Sequence, residues 1–209
     1  MKNLNLKKIP VKFSQTEATP DGINLVRITE AGWRVPVTLV GWKIAIRWLD
    51  EGVYDRDLVA GMRLVVALWE GKKRGYTRMT DEQEAVIWRW VVVSLFIGEQ
   101  QDKNGTVNVP NDEGGTDLAT IYNGKNGAMS VYPSCVRFSI ANHVEGIAIE
   151  KYGRGEGLKL AIRMYRDMTE VRGEKLSLSA FGRKSFTMLH DDYIRMLQTE
   201  GIPDAPVMH

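Results

Sequence analysis

The stretch Thr80–Gly98 constrains the fold more than any other part of the sequence. From Ala85 to Ile97, only Arg89 and Ser94 interrupt the apolar residues. A helix of this composition is hydrophobic on nearly its whole circumference, so other elements must surround it. A helix that spans a bilayer needs about 20 apolar residues, whereas this run is shorter and contains a charge. We therefore predict the buried central helix of a helical domain, with no role in a membrane.

The two ends of this stretch carry the signals of a helix start and a helix end. The Thr80 side chain can accept a hydrogen bond from the Gln83 backbone N–H, while the Gln83 side chain accepts one from the Thr80 N–H. Acidic residues in the first turn favour the positive end of the helix dipole; they are Asp81, Glu82 and Glu84. Gly98 predicts the end of the helix.

Composition limits the class of protein. The chain has 209 residues, of which 44% are apolar and 26% charged, as in ordinary globular proteins. Cys135 is the single cysteine, which excludes an internal disulfide and a multi-cysteine zinc site and favours a reducing compartment. His143, His190 and His209 lie far apart without a metal-ligand spacing, so we expect neither a metal nor a cofactor. The N-terminal residues lack the apolar core of a signal peptide, which predicts a cytosolic protein.

The charge distribution is more informative than the total. The net charge of +2 gives no argument for a polyanionic partner. Between Lys151 and Arg195, ten lysines and arginines stand against six aspartates and glutamates, an excess of four. This basic part could bind phosphate groups. Alternatively, its charged residues form solvated helix faces of mixed charge. A shorter basic segment surrounds Gly75 and Tyr76 and could meet phosphate or serve as a solubilising turn; its cations are Lys72, Lys73, Arg74 and Arg78.

Residues 1–38 predict an extended arm rather than a helix. Apolar residues alternate there, and Pro10, Pro20, Gly22 and Pro36 interrupt the segment. The arm has too few apolar residues for a core of its own, so it must dock on its own domain or pair with a neighbouring subunit. A partly disordered terminus is the alternative. We assign oligomerisation to the apolar residues Leu4, Leu6, Ile9, Val11 and Phe13.

The spacing of apolar residues predicts a series of helices in the rest of the chain. Besides 80–98, they are 39–50, 55–70, one that starts at Ser134, 158–170 and 178–200. Asn104–Gly105 predicts the turn of a hairpin, and 123–127 a further turn. The predicted fold class is mainly α, with a helical core domain at 39–200 around the buried central helix. An extended N-terminal arm at 1–38 and a short C-terminal tail at 201–209 flank it.

Three of these helices have a defined apolar face, and for 39–50 it contains Val40, Ile44, Trp48 and Leu49. For the helix after Ser134, the buried residues are predicted to be Val136, Ile140, Val144, Ile147 and Ala148. For 158–170 they are Leu158, Ala161, Ile162, Tyr165 and Met168, which leaves Lys159, Arg163 and Arg166 on the opposite side.

No catalytic constellation is visible, so we predict that the chain is not an enzyme. The glycine-rich stretch Gly153–Gly157 matches neither the dinucleotide fingerprint nor the P-loop, and a helix–helix corner is the better interpretation. The adjacent residues His190–Asp192 point in different directions on a helix. Cys135 has no base nearby in the sequence and is interpreted as a small buried hydrophobe. The six tryptophans are interpreted as core residues.

Arg137 differs from the other cations because it lies beside a buried stripe. It follows the turn at Tyr132–Pro133 and stands between Val136 and Phe138. A charge in this position is costly unless it is paired. Its counterpart is either an acid elsewhere in the chain or a phosphate, which the arginine fork can bind through two hydrogen bonds.

Three stretches together resemble the coat proteins of flexible filamentous plant RNA viruses, the potyvirus kind especially. Met79–Gly98, followed by Asp102–Val107, is similar to the acidic-capped central helix of that family and the glycine loop after it. Pro133–Lys151 is similar to the helix that bears its RNA-contacting arginine, here Arg137. Leu176–Phe181 stands at the place of its Ser-Leu-Ala-Arg-Tyr-Ala-Phe segment. The resemblance implies a helical core with extended arms, subunits that polymerise into a filament, and single-stranded RNA in an inner groove.

We therefore expect a viral coat protein or nucleoprotein that forms a helical filament, found in the virion and the host cytoplasm. It packages single-stranded RNA through sequence-independent backbone contacts, which we assign to Arg137, with Lys159, Arg163, Arg183 and Lys184 as further candidates. No membrane partner and no small-molecule substrate is expected. The alternative is a helical regulator or adaptor, of the kind that phages encode, that binds a host protein through the arm.

Overall fold

The computed structural model describes residues 12–28, 31–125 and 127–200, except the side chains of 12–15, 193, 194 and 196–200. The chain divides into two compact units, Met1–Gln83 and Glu84–His209. We call them the first unit and the second unit, and each is described by itself.

The described part of the first unit is an antiparallel sheet of three strands followed by two helices. Across the sheet the strands follow the order β1-β2-β3. The elements are β1 (Lys12–Thr19), β2 (Gly22–Ile28), β3 (Arg34–Val40), α1 (Trp42–Asp50) and α2 (Leu58–Lys73).

The sheet of the first unit is held against α2. The Thr16 hydroxyl of β1 donates a hydrogen bond to the Arg63 carbonyl oxygen of α2 at 2.9 Å. At the start of β2, a Cβ on Gly22 would lie 2.3 Å from the Val40 carbonyl oxygen, so only glycine permits this close approach of β2 and β3. The central strand supplies the core of the sheet, with the buried residues Ile23, Leu25 and Val26.

α2 begins and ends later than the predicted range 55–70. The Asp57 side chain caps its start by accepting a hydrogen bond from the Ala60 N–H at 2.9 Å. Gly71 lies inside the helix and is buried, because the missing side chain makes room for the Trp42 ring of α1. A Cβ on Gly71 would lie 2.4 Å from that ring. The start of α1 also differs from the prediction. This helix begins at Trp42 rather than at residue 39, because residues 39 and 40 belong to β3.

The central helix predicted from the sequence is present as α3 (Asp81–Asn104), which begins in the last residues of the first unit and continues in the second. The capping box is confirmed: the Thr80 N–H donates to Gln83 Oε1 at 3.1 Å, and the Gln83 N–H donates to Thr80 Oγ1 at 3.3 Å. Among the described helices, none is long and apolar enough to cross a membrane. The buried residues of α3 are Ala85, Ile87, Trp90, Val91, Val92, Val93, Ser94, Phe96 and Ile97.

The predicted end of α3 was wrong. The helix spans Asp81–Asn104 and passes through Gly98, because the polar residues after it continue the helix. Gly105, with φ +79°, ends it, and its N–H donates to the Gln101 carbonyl oxygen at 2.9 Å. The expected hairpin follows, but its turn lies at 111–115 rather than at Asn104–Gly105. The turn predicted at 123–127 is confirmed, since it joins two paired strands.

Three strands and four helices follow α3 before the chain reaches the last described residue, with a two-stranded hairpin between the last two helices. The strands of the second sheet are β4 (Thr106–Pro110), β5 (Thr116–Gly124) and β6 (Gly127–Val131). The remaining elements are α4 (Pro133–Ile140), a π-helical turn (Ala141–Gly146), α5 (Ile147–Tyr152), α6 (Arg154–Asp167), β7 (Thr169–Arg172), β8 (Lys175–Leu178) and α7 (Ala180–Glu200).

The π-helical turn explains the one error in the predicted stripe after Ser134. Ile147 was expected to be buried and is 56% exposed, whereas Ala148 is buried. A π-helical turn takes more residues per turn than an α-helix, so it rotates the residues that follow. By contrast, the inward face of α6 is confirmed in full; Leu158, Ala161, Ile162, Tyr165 and Met168 are all buried.

The predicted fold class, mainly α with a helical core and an extended arm, was wrong. The protein is a mixed α and β structure with 55% helix and 26% strand, and its strands form three small antiparallel sheets. Within the predicted arm, the described residues 12–19, 22–28 and 34–38 belong to strands that pair with each other, and β1 is hydrogen-bonded to α2. Apart from the expected hairpin, the strands of the second unit were not predicted, because they are short and give no clear burial pattern; β4 and β6 are mostly exposed.

Candidate nucleic-acid and self-association interfaces

The outward face of α6 carries two of the residues assigned to RNA binding. Gly153, with φ +77°, begins the helix. Gly157 packs so closely on α5 that a Cβ would lie 2.6 Å from the Ala148 carbonyl oxygen. The glycine-rich stretch is therefore a helix–helix corner, as predicted. Because the apolar side of α6 faces inward, Lys159 and Arg163 are exposed.

The cations along α6 have acidic neighbours. Lys159 Nζ donates to Glu156 Oε1 at 2.9 Å, and this hydrogen bond lowers the pKa of the Glu156 carboxyl. Exposed ion pairs contribute little to stability, so a phosphate can replace the carboxylate at low cost. Arg166 pairs with Glu84, and its guanidinium carbon lies 5.4 Å from the centroid of the Trp88 ring.

On α7, the two assigned cations differ from each other. Arg183 forms two hydrogen bonds with Glu99, from Nε to Oε2 at 2.9 Å and from Nη2 to Oε1 at 2.6 Å. Its Nη1 also lies 3.9 Å from Glu170 Oε1. The hydrogen bonds to Glu99 raise the pKa of Arg183. Lys184, the next residue, is exposed. A phosphate would therefore have to displace Glu99 to reach Arg183, whereas Lys184 is accessible.

Arg137, the first candidate for RNA contact, lies in α4 and is 7% exposed. The sequence predicted a charge beside the buried stripe, and the side chain indeed lies among buried residues. A polyanion can touch only the small exposed part of it. The five assigned cations thus fall on three helices, and their settings differ: one is buried, one donates two hydrogen bonds to Glu99, and three are exposed.

A buried polar group that the sequence analysis did not identify lies in the second unit. Arg89, the charge that interrupts the apolar run of α3, places its Nη1 2.6 Å from Glu145 Oε1 in the π-helical turn. The Tyr165 hydroxyl donates to the same oxygen at 2.8 Å. Burial, and then Glu145, raises the pKa of Tyr165 well above its usual value. The signal was an arginine inside an apolar helix, which requires a partner, but the sequence could not identify Glu145.

The residues assigned to oligomerisation lie mostly outside the described part of the chain. Phe13 belongs to β1, where it is opposite Arg27, and its side chain is not described. The other four, Leu4, Leu6, Ile9 and Val11, precede the first described residue.

An apolar surface is nevertheless present on the first unit, along β3. Within the described residues, β3 is an edge strand of its sheet, and every residue from Arg34 to Leu39 is exposed. Trp33, just before the strand, is 73% exposed, and Val37 and Leu39 are about half exposed, at 47% and 51%. Exposed edge strands of this kind are places where another chain can pair.

The remaining candidate sites offer no chemistry. His190 is buried and stacks on Phe96 and Tyr122, with ring centroids 5.3 and 4.5 Å away. Burial lowers its pKa to about 4, against the opposing effect of Asp191. The histidine is thus a neutral core residue. Cys135 is exposed, so its interpretation as a buried hydrophobe was wrong.

No group of three or more His, Cys, Asp or Glu side chains in the described part of the chain is arranged to hold a metal ion. Comparison with known proteins gives no match to a family model, to a curated protein or to a solved structure.

Proposed function

We propose that the chain is a self-assembling nucleoprotein, a viral coat protein whose copies form a helical filament around single-stranded RNA. In this proposal the first unit joins the copies, and exposed cations contact the phosphates. The observation that carries it is the apolar edge strand β3, with Trp33 beside it and all residues from Arg34 to Leu39 exposed. A second copy can pair with such an edge through its backbone, as extended segments do in strand addition.

A second apolar surface of the first unit supports an open assembly. Val59 and Val66 lie two turns apart on α2 and are 62% and 50% exposed. α2 packs on β1, whereas β3 lies at the opposite edge of the sheet, so the two apolar surfaces are distinct. Two different surfaces on one subunit favour head-to-tail contacts, and these give a filament when the rotation does not close a ring.

The RNA contacts in this proposal come first from Lys159, Arg163 and Lys184, which are exposed. A subunit that covers only a few phosphates needs only a few cations, and the many copies of a filament add their contacts along the strand. Arg137 and Arg183 contribute less, because one is buried and the other is already paired with Glu99.

The test of self-assembly replaces one exposed valine of the edge strand by lysine. Val37→Lys places a charge on β3, and a charge on an edge strand opposes pairing with another strand. We expect the wild-type protein to give elongated particles by negative-stain microscopy and fast sedimentation, and the variant to give small species. Val171→Lys is the matched control, since Val171 is a strand residue of the second unit and is 71% exposed.

A monomeric wild-type protein that is insensitive to salt and retains no nucleic acid contradicts the proposal. The absorbance ratio at 260 and 280 nm of sized fractions, with and without ribonuclease, measures the bound RNA. If the wild-type and Val37→Lys proteins assemble equally, this result contradicts only the role of β3 in self-assembly.

The alternative function, an adaptor that binds a host protein, is favoured by the charge of the second unit. Residues 84–209 contain 14 lysines and arginines and 16 aspartates and glutamates, a net charge of −2. A negative unit does not attract a polyanion. If the protein is an adaptor, we expect a discrete small oligomer that loses binding to its partner when residues 1–38 are removed.

A further inference from the structure

We infer that the turn Lys72–Arg78 of the first unit is a contact site for single-stranded RNA, with cations for the phosphates and an aromatic ring for a base. This inference rests on the proposed function and adds a site outside the five assigned cations. The turn, here called the basic turn, contains four cations in seven residues and no acid. Those cations are Lys72, Lys73, Arg74 and Arg78.

The basic turn has a defined shape, because the end of α2 fixes its backbone. The Tyr76 N–H donates to the Gly71 carbonyl oxygen at 2.8 Å, and the Gly75 N–H donates to the Lys72 carbonyl oxygen at 3.0 Å. With Gly75 at φ +77°, these two bonds form a Schellman motif. Thr77, two residues further, is buried. The cations therefore start from an ordered backbone, so binding orders only their side chains.

All four cations of the basic turn are exposed. Arg74 has an acid nearby, with Nη2 3.7 Å from Glu70 Oε2, and both side chains remain about half exposed, at 56% and 45%. A pair of this kind contributes little to stability, so a phosphate can displace the carboxylate. The helix dipole accounts for cations in the last turn of α2, but this effect ends within that turn. It therefore gives no reason for Arg78.

Tyr76 distinguishes the basic turn from an ordinary solvated helix end. Its ring is 38% exposed in the middle of the four cations. Proteins that bind single strands without sequence preference combine cations along the backbone with exposed aromatic rings on which bases stack. An anionic bilayer would also attract the cations and could take up the tyrosine ring at its interface, so binding to vesicles is measured as a separate outcome below. Single-stranded RNA fits both features.

The distribution of charge between the units agrees with this location. Residues 1–83 contain 14 lysines and arginines and 10 aspartates and glutamates, a net charge of +4. The second unit has a net charge of −2 by the count given above. A polyanion is therefore attracted to the first unit more than to the second.

The experiment measures binding of a fluorescent oligouridine to the full chain by anisotropy at increasing KCl concentrations. The test variant replaces all four cations by glutamine, K72Q/K73Q/R74Q/R78Q. The charge-matched control is K43Q/K103Q/K125Q/K175Q, which removes four exposed cations at other places. A second comparison uses K159Q/R163Q on α6. Circular dichroism checks that each variant is folded, and the smaller variant K73Q/R78Q replaces the test variant if that one does not fold.

We expect the test variant to lose affinity by about tenfold or more, and the slope of log K against log salt to become shallower by about 2–3, because each phosphate contact on a single strand contributes about 0.7. The control keeps the wild-type slope. Tyr76→Ala is expected to weaken binding severalfold without a change in slope, whereas Tyr76→Phe keeps the affinity.

Four results overturn the inference. An unchanged slope in the test variant, with weaker binding in K159Q/R163Q, rejects the basic turn and leaves the proposed nucleoprotein intact. An equal loss in the charge-matched control shows that only the net charge matters. Loss of binding to phosphatidylserine vesicles, with unchanged binding to oligouridine, assigns the turn to a membrane surface. A wild-type protein that binds no oligouridine rejects the inference and the RNA part of the proposed function together.

Discussion

In the second unit the indole of Trp90 is 1% exposed and lies in the core around α3, whereas in the first unit Trp33 is 73% exposed at the start of an edge strand. The other four, Trp42, Trp48, Trp69 and Trp88, are partly buried. The prediction that all six tryptophans are core residues was therefore wrong for Trp33.

Exposed apolar side chains show the same contrast. Nine of the large ones lie in the described part of the first unit, which is the smaller of the two, and eight lie in that of the second. The first unit therefore exposes more of these side chains for its size, and the proposed self-assembly would cover them. The second unit contains aromatic stacking and a largely buried ion pair.

The largest effect that tests this comparison comes from replacing one tryptophan in each unit. Trp90→Ala removes a side chain that is 1% exposed, and we expect it to lower the free energy of unfolding by about 3–5 kcal/mol. Trp33→Ala removes an exposed ring and should change it by about 1 kcal/mol or less. Urea denaturation monitored by circular dichroism measures both. A similar cost for the two variants would contradict the contrast between the units.

The largely buried ion pair between Arg89 and Glu145 gives the next effect. Arg89→Met leaves Glu145, which is 14% exposed, without its cation, and we expect a loss of about 3 kcal/mol. The matched control is Lys159→Met, which breaks an exposed pair with Glu156 and should cost about 1 kcal/mol at most. The denaturant midpoints of both variants measure this difference in stability. The double variant Arg89→Met/Glu145→Gln should regain part of the loss, and no recovery would argue against an uncompensated charge.

Acid sensitivity should belong to the second unit, because all three histidines lie there. Burial lowers the pKa of His190 from 6.5 to about 4, so the folded state favours the neutral ring. This stability is present above pH 6.5 and is lost as the pH falls towards 4. His190→Phe keeps the stack on Phe96 and Tyr122, and we expect it to remove about 2–3 kcal/mol of the loss between these pH values. Denaturation at a series of pH values measures it, and an unchanged profile would contradict the role of His190.

The two units also differ in how much of them the sequence predicted. α6 was correct in its buried and exposed faces because a single amphipathic pattern determines both. The start of α3, at the end of the first unit, was correct because the Thr80–Gln83 box is a local signal, and both of its hydrogen bonds are present. For the rest of the first unit's N-terminal part, the sequence predicted an extended segment, and its described residues form strands. What failed there was the partner of those strands, since pairing depends on residues far apart in the sequence.

Glycines account for most of the misplaced boundaries, because a glycine serves several purposes that look alike in sequence. Gly98 and Gly71 were taken as helix ends, yet α3 continues through the first and Trp42 packs on the second. Gly105 was assigned to a hairpin and instead ends α3. Of the candidate site, the sequence predicted the exposure of Lys159 and Arg163. It could not predict the pairing of Arg183, because Glu99 is 84 residues away.

The smallest effect concerns two neighbouring glycines in α6 and sharpens the view of the second unit as a tightly packed domain. A Cβ on Gly157 would lie 2.6 Å from the backbone of α5, whereas a Cβ on Gly155 would meet no atom within 4 Å. We expect Gly157→Ala to lower the free energy of unfolding by about 1–3 kcal/mol through overpacking. Gly155→Ala should raise it by up to about 1 kcal/mol, because alanine favours a helix. Thermal unfolding of the pair gives the comparison, and equal melting temperatures would mean that α5 and α6 separate at little cost.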